Sequence, residues 1–149
     1  MQPVGARSRE GYRHFLAIPT RWLDNDTYGH VNNVVYYAYF DTIINRYLIE
    51  RGGLDPHASE VIGLCVESTC RYVAPAAYPD ELEAGLAVVH LGRSSVRYAV
   101  GVFRAGGGEL CAHGEFVHVF VGRAARRPEV LPEPLRTALA AIERGGATP

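Results

Sequence analysis

The sequence lacks any apolar run close to the roughly 20 residues that a membrane-spanning helix needs, so it predicts no transmembrane segment. It also lacks an excess of either charge: 15 basic and 16 acidic residues leave a formal net charge of −1. A balanced chain carries no overall positive field, so we expect neither nucleic acid nor a membrane surface as a partner. No apolar segment follows the N-terminal arginines, which predicts no secretory signal and hence a cytoplasmic protein.

Cysteine is scarce, and its spacing excludes its commonest structural uses. On one continuous strand Cys65 and Cys70 would lie about 16 Å apart and on opposite faces, which is too far for a disulfide. Together with Cys111 they are therefore predicted to be reduced thiols. The sequence has no Cys-x-x-Cys or His-x-x-x-His spacing, so no metal site is predicted. Neither a Walker-type loop nor a Gly-x-Ser-x-Gly motif is present, which excludes those phosphate-binding and serine-hydrolase signatures.

What the sequence does contain is one domain over residues 1–149, with a core at about 12–121. Five segments alternate apolar and polar side chains as strands do: 12–22, 61–73, 81–91, 95–104 and 110–121. Their short connections favour antiparallel pairing. A longer segment, from about Val34 to Arg51, has its polar side chains on one narrow stripe and is predicted to be a buried helix. A short helix is predicted at about 135–143. The predicted class is α+β, with the sheet wrapped around the long helix.

The loop between the first strand and the long helix concentrates the polar side chains that can do chemistry. Two asparagines are available to cap the helix, and a cap would set Asp26 near unpaired backbone N–H groups. Such groups attract negative charge and can stabilise an oxyanion. A carboxylate beside them can activate water or attack an acyl carbon. The alternative is an aspartate that only braces a turn.

The pattern Asp24-x-Asp26-x-x-Gly29-His30-Val31-Asn32-Asn33-x-x-Tyr36 resembles the signature of the 4-hydroxybenzoyl-CoA thioesterase group of hotdog-fold proteins. The order of strands agrees with that group over about 12–121. The resemblance implies a five-stranded antiparallel sheet curled around a central helix, with two such units sharing a continuous sheet. It also implies hydrolysis of acyl-CoA thioesters without a metal or redox cofactor, coenzyme A being part of the substrate.

The same resemblance implies roles for individual residues. The catalytic aspartate of the family corresponds to Asp26, and the N–H that polarises the thioester carbonyl corresponds to Asn33. His30 either braces the loop or orients water or the thioester. Asn32 is interpreted as a helix cap or loop brace, and Asp24 as an acceptor for loop N–H groups. Tyr36, like Tyr37 and Tyr39, either packs in the core or borders the acyl group.

Other residues are candidates for binding the coenzyme. Arg93, Ser94 and Ser95 form a turn that resembles the family segment in which pantetheine and phosphate contacts occur, although an ordinary polar hairpin explains them equally well. Ser68 falls on the strand expected at a dimer seam, where it could face a neighbouring unit's site. Arginines that could contact phosphate are Arg71, Arg126 and Arg127. His113 and His118 are predicted on opposite faces of the last strand, as sheet residues.

Taken together, the sequence predicts an acyl-CoA thioesterase that works as a homodimer or homotetramer, with Asp26 as general base or nucleophile. Two alternatives stay open. A hotdog hydratase or dehydratase would need a differently placed Asp–His pair than Asp26 and His30, which are four residues apart in a loop. A non-catalytic acyl-CoA-binding module would be expected to lose the carboxylate that Asp26 supplies.

Overall fold

A computed structural model describes residues 6–145 as one antiparallel sheet and two α-helices. In chain order the elements are β1 (His14–Pro19), α1 (Asn33–Glu50), β2 (Val61–Ser68), β3 (Arg71–Tyr72), β4 (Glu81–Leu91), β5 (Ser95–Arg104), β6 (Leu110–Gly122) and α2 (Glu133–Ala140). The strand order is β1-β4-β5-β6-β2, with the short β3 also paired to β6. The predicted α+β hotdog architecture is confirmed. Neither helix in the described part of the chain is both long and apolar enough to cross a membrane.

The two faces of the sheet bury different sets of side chains. The inner face packs against α1, whose Phe40, Ile43, Ile44 and Leu48 are fully buried. Burying a side chain of this size stabilises a fold by about 1.5–3 kcal/mol. The opposite, outer face carries a smaller cluster that includes Tyr12 from the segment before β1. The inner cluster fixes the position of α1 and therefore of the loop that leads into it.

Helix α1 is less enclosed than its composition predicts. Asp41 and Arg46 on its polar stripe are exposed, but so are the apolar Val34, at 68%, and Ile49, at 42%. The prediction that α1 is buried around most of its circumference is therefore wrong for the single chain. The reason is geometric, since the sheet covers only one side of the helix and the opposite side faces solvent.

Three strands, β4, β5 and β6, match the predicted bounds to within one residue, but β1 is shorter than the predicted 12–22. After Pro19 the chain leaves the sheet and enters a 3-10 turn, Trp22–Asp24, in which Trp22 is 77% exposed. The carboxylate of Asp24 accepts the backbone N–H of Arg21. This local hydrogen bond competes with strand pairing and turns the chain away.

The predicted strand 61–73 is also corrected, because it is two strands rather than one. The register shifts between Cys65 and Glu67, and pairing stops before β3 begins at Arg71. As the edge strand, β2 leaves Leu64 and Val66 exposed instead of placing them in the core. Helix α2 starts two residues earlier than predicted and ends at Ala140, with Pro132 at its N-cap.

The histidines of β6 lie on opposite faces of the sheet, as predicted, and both are buried. On the inner face, Nδ1 of His118 lies 3.0 Å from Oη of Tyr98. Burial lowers the pKa of His118 to about 4, so its ring is neutral at pH 7. On the outer face, His113 pairs in register with Arg71. All three cysteines are free, in agreement with the sequence prediction.

Candidate active site

The loop at residues 20–32, here called the entry loop, holds Asp26 in a tight turn. The N–H of Asp26 donates to the carbonyl of His30 (2.9 Å), and the N–H of Gly29 donates back to the carbonyl of Asp26 (3.1 Å). Gly29 has a φ of 85°, a conformation that glycine adopts without steric cost. One carboxylate oxygen of Asp26 accepts the N–H of Tyr28 at 2.8 Å. The half-buried side chain of Asp26 is therefore fixed by its own loop.

The start of α1 leaves one backbone donor free. Asn32 is the N-cap: its side-chain oxygen accepts the N–H of Val34, and its carbonyl accepts the N–H of Val35, both at 2.9 Å. This confirms the interpretation of Asn32 as a cap. Within residues 6–145, no acceptor is assigned to the N–H of Asn33, the first residue of the helix. A free N–H at the positive end of a helix is suited to hold a developing oxyanion.

A cleft of about 260 Å³ opens at this first turn. The entry loop and α1 contribute His30, Val31, Asn33 and Tyr36 to its walls, and the segment after β3 closes the other side. The exposed side chain of His30 faces this cleft, while its backbone carbonyl braces the turn at Asp26. Tyr36 is 3% exposed, and burial raises its pKa to about 12, so it stays neutral.

Sequence reasoning did not identify Tyr72 as part of this cleft. The Tyr72 hydroxyl donates to the carbonyl of Asn33 at 2.9 Å, and its ring stands edge-on to Tyr36 with 5.5 Å between centroids. It therefore ties β3 to the first turn of α1. Nothing in the local sequence signals this contact, because the two residues of the hydrogen bond are 39 positions apart.

Asp24 supports the loop from beneath. It is fully buried and accepts hydrogen bonds from the N–H and guanidinium of Arg21 and from the hydroxyl of Tyr39. Burial opposes its charge, but these hydrogen bonds outweigh burial and hold the pKa of Asp24 below its ordinary value. The prediction that Asp24 accepts loop N–H groups is confirmed. Tyr39 does more than pack, since it binds this buried carboxylate.

The segment 74–80 supports the loop from the side. Its Ala76 carbonyl accepts the N–H of Val31 at 2.7 Å, and the N–H of Tyr78 donates to the side chain of Asn25 at 3.0 Å. Arg104, at the end of β5, anchors this segment through Asp80 and the carbonyl of Pro75. The sheet thus positions Asp26 through a chain of hydrogen bonds that the sequence does not reveal.

The predicted coenzyme contacts are not brought to this cleft within one chain. Pro19, which precedes the entry loop, pairs with Glu81 at the start of β4. The Arg93–Ser95 turn follows the other end of this 11-residue strand, roughly 30 Å away at 3.3 Å per residue. Arg126 and Arg127 follow β6 at that same far end.

The other two predicted contacts lie along the sheet. Ser68 is on the inner face opposite Phe116, and its hydroxyl is buried without a hydrogen-bond partner among the residues described. Arg71, paired with His113, is on the outer face. One chain therefore brings His30, Asn33 and Tyr36 to one cleft. Asp26 lies in the adjoining entry loop and is not among the residues that line this cleft, and the coenzyme candidates lie elsewhere. No group of His, Cys, Asp and Glu side chains within residues 6–145 is arranged to hold a metal ion.

Residues 20–139 match the thioesterase-like superfamily, a span that includes the entry loop, the cleft and both helices except the last residue of α2. Among curated proteins, none matches the sequence significantly.

Solved structures resemble the chain over most of its length. The PA5185 protein from Pseudomonas aeruginosa strain PAO1 shares 59% identity, with 91% of this chain and 95% of that chain covered and a TM-score of 0.89. A thioesterase from Thermus thermophilus, complexed with coenzyme A and Zn, shares 31% identity, with 90% and 96% covered and a TM-score of 0.73. A 1,4-dihydroxy-2-naphthoyl-CoA thioesterase from Synechocystis, at 18% identity, covers 85% and 94% with a TM-score of 0.77. That last similarity concerns the fold alone.

Proposed function

The chain belongs to the thioesterase-like superfamily, and on that premise we propose that it hydrolyses an acyl-CoA thioester, using Asp26 and the N–H of Asn33. The observation that carries this proposal is the uncommitted N–H of Asn33, which opens into a cleft at the positive end of α1. The half-buried carboxylate of Asp26 is fixed in the entry loop, and the backbone N–H of Asp26 donates to the carbonyl of His30, a residue that lines the cleft. A carbonyl held by this N–H would be polarised beside a carboxylate that can start its hydrolysis.

The reaction needs few groups because a thiolate leaves easily. Asp26 either takes a proton from a water molecule that attacks the carbonyl carbon, or attacks that carbon itself to form an anhydride that water then cleaves. In both cases the oxygen of the tetrahedral intermediate is negative and accepts the N–H of Asn33. The C–S bond then breaks, the thiolate takes up a proton, and a free acid and coenzyme A are released.

The coenzyme is proposed to bind across two copies of the chain. Strand β2 is a sheet edge with unpaired backbone groups and exposed Leu64 and Val66, which is a template for pairing with another strand. If the β2 strands of two chains pair antiparallel, the two sheets run in opposite directions. The end of one sheet that carries the Arg93–Ser95 turn then lies beside the end of the other sheet that carries the entry loop. Arg93, Ser94, Ser95, Arg126 and Arg127 would then lie at the partner's end of the site.

Such a dimer would explain why the coenzyme candidates lie far from the cleft within one chain. The arginines carry the positive charge that the coenzyme phosphates need, and the 31%-identical Thermus thioesterase binds coenzyme A. A homodimer, or a homotetramer built from it, is therefore part of the proposal. The absence of a metal or redox cofactor and a cytoplasmic location stay predictions.

The direct test is thiol release from a panel of aromatic, short-chain and long-chain acyl-CoAs, with wild type and Asp26→Asn measured in parallel. We expect wild type to hydrolyse at least one member of the panel. The variant should lose at least ~100-fold in kcat, the scale expected when a general base is removed. Asp41→Asn is the matched control, because Asp41 is an exposed aspartate on the open side of α1 and should leave kcat unchanged.

A wild type that binds acyl-CoA but releases no thiol from any member would contradict hydrolysis and favour a non-catalytic binding module. An Asp26→Asn variant with full activity would contradict the role of Asp26. Conversion of enoyl-CoA substrates without thiol release would instead indicate the hydratase alternative.

A further inference from the structure

A second cavity lies on the outer face of the sheet, on the opposite side from the cleft at α1. It has a volume of about 280 Å³ and lies beside β3 and β6, where His113 contributes to its wall. Tyr12 and Arg144, from segments near the two ends of the described chain, complete it. Gly101 makes room for Tyr12, since a Cβ there would come within 2.8 Å of that ring. The proposed hydrolysis uses no part of this cavity.

Two residues that line this cavity each carry a buried donor without a hydrogen-bond partner in the described part of the chain. His113 is 5% exposed, and its Nε2 is buried without a partner among residues 6–145. One terminal guanidinium nitrogen of Arg144 is also buried without a hydrogen-bond partner among these residues. Native structures pair nearly all buried polar groups. The residues that line this cavity thus hold two donors for which residues 6–145 supply no acceptor.

The charges around the cavity specify the sign of that acceptor. Glu67 and Glu115 are both in ion pairs with Arg97, at 3.5 Å and 2.8 Å. Arg71 and Arg144, by contrast, make no ion pair with a carboxylate in the described part of the chain. Because Glu67 and Glu115 share one guanidinium group, the cavity and Arg97 together hold three guanidinium groups against two carboxylates, a net charge of +1.

We propose that this cavity binds a small oxyanion, a phosphate group, between the ring of His113 and the guanidinium groups of Arg144 and Arg71. Guanidinium groups present paired N–H donors that match the oxygens of phosphate. Burial, with the positive charges of Arg7 and Arg71, lowers the pKa of His113, so at pH 7 its neutral ring has one N–H to donate.

The site is separate from the proposed reaction but connected to it through β3. Arg71 and Tyr72 are adjacent residues whose side chains lie on opposite faces of the sheet. Arg71 borders the outer cavity, while Tyr72 holds the first turn of α1. Phosphate binding can therefore be measured without any thioester substrate, and its failure would leave the proposed hydrolysis untouched.

The experiment titrates the full-length protein with inorganic phosphate at constant ionic strength, with chloride as the comparison ion. We expect saturable shifts of the His113 ring signals in NMR spectra and a rise in Tm that chloride does not produce. His113→Phe keeps a planar ring but removes both nitrogens. In the absence of phosphate, this variant should fold with an unchanged or higher Tm. Its Kd for phosphate should be at least ~10-fold higher than that of wild type, the scale of a lost hydrogen bond to a charged group.

Arg71→Gln removes one of the guanidinium groups without touching the core and should weaken phosphate binding similarly. Arg46→Gln, an exposed arginine on α1, is the matched control and should bind phosphate as wild type does. A parallel titration with methyl phosphate separates a free ion from a phosphate ester: preference for the first assigns inorganic phosphate, and preference for the second assigns an esterified ligand. The proposal is overturned if neither binds to wild type, or if His113→Phe binds both as tightly as wild type.

Discussion

Two carboxylates in the entry loop, Asp24 and Asp26, are two positions apart and have different environments. Asp24 is fully buried and surrounded by donors from Arg21 and Tyr39. Asp26 is half-buried, and the described residues give its carboxylate a single donor, the N–H of Tyr28. The first carboxylate is therefore committed to structure, whereas the second keeps an oxygen available for chemistry.

We predict that Asp24→Asn lowers the free energy of unfolding by about 2 kcal/mol, because the buried carboxylate loses charge-assisted hydrogen bonds with Arg21 and Tyr39, of which Arg21 is itself exposed. Urea unfolding at pH 7 measures this loss. Asp26→Asn is the control and should lose less than about 1 kcal/mol, since it removes no buried ion pair. Equal losses in the two variants would contradict the assignment of Asp24 as the structural anchor.

The same contrast has a pH dependence. Because the folded-state pKa of Asp24 lies below its ordinary value of 3.8, its contribution is complete above that value and is lost as the pH falls through the folded-state pKa. The stability of wild type should therefore fall below about pH 4 more steeply than that of Asp24→Asn. Urea unfolding repeated between neutral and acidic pH measures the two slopes.

At the scale of the element, the function depends on how α1 begins. Asn32 satisfies the N–H groups of Val34 and Val35 and leaves that of Asn33 free. A polar cap thus stabilises the helix without occupying the one donor that the proposed reaction needs. From the other side of the cleft, the Tyr72 hydroxyl donates to the carbonyl of Asn33.

We predict that Asn32→Ala costs about 1 kcal/mol of stability, as loss of an N-cap usually does. Asn32→Asp should keep the cap and the stability, because aspartate caps helices as well as asparagine does. Its negative charge would lie beside the oxyanion, so kcat should fall several-fold. Thermal unfolding and thiol release, measured on both variants, separate the two effects. Full activity in a stable Asn32→Asp variant would argue against an oxyanion at this helix end.

At the scale of the whole molecule, the two edges of the sheet differ. Strand β1 is six residues long, ends in Pro19 and is followed by the entry loop. Strand β2 is longer and exposes apolar side chains, including Val66 at 60%. An uncovered apolar edge of this kind favours association, which supports β2 as the seam of the proposed dimer.

We predict that Val66→Lys converts the dimer to a monomer, because a charge on an edge strand opposes pairing. Activity should fall with it, since the proposed coenzyme contacts come from the partner. Val89→Lys, at an exposed position on β4, is the control and should remain dimeric. Sedimentation velocity and thiol release provide the two measurements. A Val66→Lys monomer with wild-type activity would show that one chain is sufficient.

The sequence by itself determined the features that depend on near neighbours in the chain. Alternation located β4, β5 and β6, and the paired asparagines located the start of α1. These follow from the local geometry of strands and helix caps. The open side of α1 could not be read from the residue pattern, and the edge position of β2 was expected only from the family resemblance, because exposure depends on which elements lie alongside.

Only the tertiary structure decided which distant residues meet. Tyr72 reaches Asn33, Arg104 anchors the segment beside the entry loop, and His113 borders a cavity with Arg144. Each contact depends on the antiparallel register of strands that are far apart in sequence. A shift of one residue would move every side chain of a strand to the opposite face, so no local pattern could have specified these pairs.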